Sequence, residues 1–126
     1  MVFHFKKNTM NKNFIPYEQA LELKELGFDE PCLGLFHNDK SFYSTQCKSH
    51  KQYHGQVCSA PLYQQAFRWF REKYGYYYQI GNSGDNTKFL MLRNSEMSIV
   101  WNDKGFNTYE EAELACLIKL IEIVKK

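Results

Sequence analysis

No stretch of this chain approaches the ~18 consecutive apolar residues of a membrane helix, so none is expected to span a bilayer. The first residues lack the basic, apolar, small-residue order of a secretory leader. Arginine is scarce, with three residues against thirteen lysines. The P-loop, the dinucleotide fingerprint and the metallohydrolase motifs are all missing. So are a nucleophile elbow and a glycine-rich oxyanion loop. These absences remove the common signatures of nucleotide-dependent and hydrolytic enzymes. A net charge of only +2 also gives no reason to expect a nucleic-acid or membrane partner.

What is present is ordinary globular material. The 126 residues are 44% apolar and 24% charged, which excludes wholesale disorder and predicts one domain, 1–126. Residues 1–9 are expected to be a loosely held extension, and the alternation over 2–6 allows an edge strand there. The chain holds ten Phe, nine Tyr and nine Asn. Lys, Asn, Tyr and Phe share AT-rich codons, so an AT-rich genome accounts for the bias. Charge is unevenly spread. Residues 1–16 carry +3, 17–30 carry −4, 31–75 carry +4, 76–107 balance and 108–126 carry −1. Such patches steer partners by complementary potential. Four cysteines without a leader predict reduced thiols and a cytoplasmic setting.

Three segments carry helix signals. The first runs from Pro16 to Leu26, with Gly27 as its stop. Ala20, Leu21, Leu23 and Lys24 share one side, and Glu18, Glu22 and Glu25 the other. The second runs from Leu62 to Tyr74 and stops at Gly75. Leu62, Tyr63, Ala66, Phe67, Phe70 and Tyr74 form its apolar arc. Gln64, Arg68 and Arg71 lie on its polar arc, with Trp69 at the edge and expected in the core. The third opens at Thr108, where Thr108 and Glu111 form a capping box. Leu114, Leu117, Leu120, Ile121 and Val124 form its apolar face, extended by Ile118 and Ile123, and Cys116 falls within it.

Strands are expected over 32–37 and 42–45 around an Asn38-Asp39-Lys40 turn. A meander is expected over 76–80, 88–93 and 98–102. Residues 46–61 show no period and read as a loop. The whole predicts an α+β fold: a mostly antiparallel sheet of about five strands with three helices mainly on one face. A Tyr-x-x-Ala echo at Tyr17, Tyr63 and Tyr109 opens each helix at 46-residue spacing. The intervening segments do not match, so similar helix starts, rather than duplication, explain it.

Cys47, His50, His54 and Cys58 are all competent zinc ligands. Their C-x2-H-x3-H-x3-C order departs from the zinc-knuckle pattern and lacks a C-x2-C pair, so a polar loop without metal is expected, and no cofactor. Thiol catalysis by Cys47 or Cys58 with His37, His50 or His54 is also not expected, because catalytic Cys–His pairs normally come together from distant positions. The turn 81–86 has no helix after it and reads as a hairpin rather than a phosphate loop. From the second helix to the third, the order α-β-β-β-α is that of a double-stranded-RNA-binding domain. The third helix, however, opens with Glu110, Glu111 and Glu113, where such a domain meets phosphate.

The segments FIPYEQALELKELGFDEPCLG (14–34), SAPLYQQAFRWFREKYG (59–75) and TYEEAELACLIKLIEIVKK (108–126) resemble small accessory proteins of phages, prophages and other mobile elements. That resemblance covers about half the chain and brings no catalytic motif. It implies a non-enzymatic inhibitor of host defence of the anti-CRISPR kind. Its partner would be a defence effector in the bacterial cytoplasm, and an RNA-guided type VI nuclease with its guide RNA is the specific expectation. The expected contacts are the acidic stripe of Glu18, Glu22 and Glu25, standing where phosphates would, and the Gln64, Arg68 and Arg71 face. Arginine there supplies a donor fork for carboxylate or phosphate. The alternative is a nucleic-acid-binding module with the double-stranded-RNA-binding topology.

Overall fold

Each helix begins at the tyrosine of the recurring echo. In the computed structural model, which describes residues 12–125, α1 spans Tyr17–Glu25, α2 Tyr63–Tyr74 and α3 Tyr109–Lys125. The strands are β1 (Leu35–His37), β2 (Phe42–Tyr43), β3 (Gln56–Ser59), β4 (Tyr77–Asn82), β5 (Lys88–Arg93) and β6 (Ile99–Phe106). The chain is therefore α+β. The expected extension over 1–9 and the alternating segment within it lie outside the described residues. The chain divides into two compact units, one ending at Tyr63 and the other beginning at Gln64. Among the described residues the strands form two antiparallel sheets of three, ordered β2-β1-β3 and β4-β5-β6, in place of one sheet of about five. The first strand is central in one sheet and the second in the other. The helix starts recur, but the architecture does not.

In the first unit, α1 opens without a side-chain cap. Pro16 stays extended, and its carbonyl accepts from Ala20 N–H at 2.9 Å. The helix closes as the sequence indicates. Gly27, at φ 100°, donates to Lys24 O, and Phe28 donates to Leu23 O. Those two bonds make a Schellman motif, sealed by the buried pair Leu23 and Phe28. Lys24 Nζ reaches the Val57 carbonyl of β3 at 2.8 Å, tying helix to sheet. Phe14, Tyr17, Phe36 and Phe42 form a chain of ring contacts 4.8–5.5 Å between centroids.

The segment 46–61 is not a loop throughout, because β3 lies within it and pairs with β1. Its burial hides the strand from a period search: Gln56, Cys58 and Ser59 are all buried, so apolar and polar residues do not alternate. Strands 32–37 and 42–45 are correspondingly shorter than expected. Cys32 instead makes an isolated bridge with Cys47, with reciprocal backbone bonds of 2.8 and 2.9 Å.

In the second unit, β4–β5–β6 forms the expected meander, with β4 and β6 longer than expected. Gly105, at φ 90°, takes up a bulge in β6, and a second bulge falls at Val100. Leu90 and Leu92 of β5 have no exposed surface, nor do Ala112, Cys116 and Leu117 of α3. Thr108 Oγ1 caps α3 by accepting from Glu111 N–H at 3.1 Å. The Glu111 carboxylate reaches back to Asn107 N–H at the same distance. Ile118 does not extend the apolar face, since it is 44% exposed. Trp69 is buried and T-shaped against Phe70, as expected of a core residue.

Leu117→Ala should cost ~2–5 kcal/mol, because a fully buried leucine loses both its transfer free energy and its packing. Chemical denaturation checks this; a loss under ~1 kcal/mol would be a surface value.

Candidate functional site

The sequence points to two charged helix faces, one in each unit. On α1, Ala20 and Leu23 are buried and turn the carboxylates outward. Glu18 and Glu25 are exposed and Glu22 is half-buried. Spacings of four and three residues align them along one side of the helix. Asp29 beyond the helix is exposed as well. This stripe holds three carboxylates within nine residues, with Lys24 drawn away to Val57.

On α2, Ala66, Phe67, Trp69 and Phe70 are buried and Gln64, Arg68 and Arg71 are exposed. The two arginines are one turn apart. Gln64 shares their face and bridges two neighbouring elements. Its Oε1 accepts from the Tyr78 hydroxyl at 2.9 Å, and its Nε2 donates to the Glu113 carboxylate at 3.4 Å. It therefore joins α2, β4 and α3. Burial raises the Glu113 carboxyl above its ordinary value, the Glu110 charge adds to this, and the Gln64 bond opposes it. Burial likewise raises the Tyr78 phenol.

The cysteines and histidines of 47–58 do not converge as ligands. Cys47 Sγ donates to Gly34 O at 3.3 Å and contacts Ser59 Oγ at 3.4 Å. His50 Nδ1 accepts from Ser59 N–H at 3.0 Å, which places its proton on Nε2, facing the Phe28 carbonyl. Both ring nitrogens are thus committed to backbone groups. His54 is exposed. Among the described residues no three His, Cys, Asp or Glu side chains are grouped to hold a metal ion.

The thiols are also placed against catalysis. All four cysteines are buried thiols and none forms a disulfide. Burial pushes the Cys58 thiol up to about 11 and the Cys116 thiol higher still, the reverse of what a nucleophilic thiolate needs.

One feature escaped the sequence reading: the face of the β4–β5–β6 sheet away from the helices. Its signal was the alternate residues of the meander, legible only once the pairing register is known. No helix among the described residues is long and apolar enough to cross a membrane. No protein-family model, curated protein or solved structure matches the chain.

A disulfide-exchange reagent should titrate fewer than about one thiol per native chain within minutes and all four after unfolding. A fast-reacting native thiol would contradict the burial. Glu113→Gln should raise the melting temperature near about pH 7. An acid raised by folding favours the folded state below its unfolded value, here 4.5, and loses that contribution as pH rises through the folded value. The gain should vanish near about pH 3; an equal gain at both pH values would exclude charge as its cause.

Proposed function

We propose that this chain is a non-enzymatic binding protein that inhibits a bacterial defence effector through charged helix faces. The observation that carries this reading is the division of α2. Its aromatic side is buried, while two of the three arginines in the chain stand exposed together on the other. A guanidinium pair one turn apart suits a carboxylate or phosphate surface. The thiols and His50, the groups most able to do chemistry, serve internal structure instead. The α1 carboxylates fit the basic groove of a nucleic-acid enzyme, standing in for phosphate. The resemblance to small mobile-element proteins supplies the kind of target, an RNA-guided type VI nuclease acting in the bacterial cytoplasm.

A second reading has one observation in its favour. The second unit is ordered α-β-β-β-α, the order of double-stranded-RNA-binding domains. Against it stand Glu110, Glu111 and Glu113 in the opening turns of α3, where duplex phosphates would have to approach.

Charge reversal separates the faces. Glu18→Lys with Glu25→Lys alters α1, and Arg68→Glu with Arg71→Glu alters α2. Each should shift stability by only ~0.5 kcal/mol per exposed site. The pair at the interface should weaken inhibition of a purified type VI nuclease. Loss of a desolvated ion pair would cost ~2–5 kcal/mol in affinity, and rim charges would mainly slow association. Full inhibition by both variants would reject this reading. Tight, steeply salt-dependent binding of duplex RNA would favour the second.

A further inference from the structure

Both helices of the second unit lie on the side of the sheet that carries Tyr78, Leu92 and Trp101, which pair across the three strands. The Tyr78 ring is 4.4 Å from that of Phe67 on α2, and Lys119 Nζ of α3 stands 5.3 Å from the centroid of the Trp101 ring. Side chains alternate along a strand, so the register defines what stands on the opposite side. There, across the sheet, Tyr77 is beside Arg93 and Arg93 beside Ile99. The next row is Gln79, Met91 and Asn102. The third is Gly81, Phe89 and Lys104. Neither helix of this unit covers these rows.

The details of the face are specific. A Cβ at Gly81 would lie 2.6 Å from Phe89 Cε2 and 2.7 Å from Cζ, so the Phe89 ring rests where a β4 side chain would stand. Tyr77 is 39% exposed. The Arg93 guanidinium is held along the sheet, donating from Nη1 to Met97 O at 3.0 Å and from Nη2 to Met91 Sδ at 3.1 Å. Those bonds leave part of its five-donor fork available. Gln79 and Asn102 are exposed amides on either side of Met91. Arg93 and Lys104 are the only charges in the three rows. Asp103 pairs with Leu90 and so belongs to the helix side.

Aromatic rings, cations and amides on an open sheet, without a carboxylate among them, complement a polyanion whose bases are free to stack. Same-face rows are ~7 Å apart, so Tyr77 and Phe89 lie ~14 Å apart along the strands, room for two separate stacking sites. A duplex hides its base faces, but a single strand presents them. The two amides between the rings suit ribose 2′-hydroxyls and base edges. A peptide adding to the β6 edge is disfavoured by the bulges at Val100 and Gly105.

We propose that the open face of the β4–β5–β6 sheet binds single-stranded RNA, stacking bases on Tyr77 and Phe89 and meeting phosphates with Arg93 and Lys104. This goes beyond the reading of the helix faces and does not rest on it.

The test uses the full chain and fluorescence anisotropy of a labelled ~12-nucleotide oligouridine, with single-stranded DNA and duplex RNA of the same length beside it. The expected result is binding that weakens as salt rises from ~50 to ~200 mM, with RNA preferred to DNA and the duplex weakest. Tyr77→Ala should weaken binding about ten-fold. Lys104→Glu should weaken it further and flatten the salt dependence. Both residues are exposed, so their melting temperatures should match the parent's. No RNA binding, unchanged affinity in both variants, or equal or tighter duplex binding would overturn the proposal. Equal affinity for single-stranded DNA would overturn the assignment to RNA. A dimer dissolved by Tyr77→Ala in a chain that does not bind RNA would assign the face to a second copy.

Discussion

Leu90 and Leu92, with no exposed surface, are the residues around which the second unit is organised. A three-stranded meander is stable in water only when one of its faces is covered. These two central leucines set which face that is, and burying each contributes ~1.5–3 kcal/mol. Leu117, Leu120 and Ile121 of α3 and Phe67 of α2 belong to the covering layer. Once that side is chosen, strand alternation leaves Tyr77, Phe89, Arg93 and Lys104 on the other. Core and open face follow from the same register, and a one-residue slip would exchange them.

The first unit reaches stability differently, because its sheet is smaller and its strands are only two to four residues long. Side chains bonded to backbone hold together what short ladders do not. Gln56, buried, accepts from Tyr53 N–H at 3.0 Å and donates to Ser49 O at 2.8 Å, closing the loop before β3. His50 links Ser59 N–H to the Phe28 carbonyl. A buried amide or imidazole is tolerable only with its polar atoms paired, and no buried side-chain nitrogen or oxygen among the described residues lacks a partner. The same economy holds for Cys32, Cys47 and His50, whose thiol protons and ring nitrogens are engaged by groups of the fold.

Charge is distributed by the helices. The buried arcs of α1 and α2 turn glutamates outward in one unit and arginines outward in the other. Gln64 shows that an exposed polar residue on such an arc can still be structural, since its amide spans Tyr78 and Glu113. Arg68 and Arg71 lie further along the same exposed stripe.

Much of this was readable in the amino-acid order, where the determining interactions are local. Gly27 and Gly75 end helices because a left-handed residue is needed there, and Thr108 caps α3 within three residues of itself. The 3.6-residue period placed Leu117 inside and Arg68 and Arg71 outside, and the meander was visible in its turns. Tertiary structure decided what depends on distant partners. β3 exists because β1 lies beside it, with burial on both sides erasing any alternation. His50 became structural because Phe28 and Ser59 flank its ring. The split into two sheets depends on which strands pair, and the open face depends on register across strands. Neither is encoded in the periodicity of a single segment, because a strand's pattern states that it has two faces without stating which one a helix will cover.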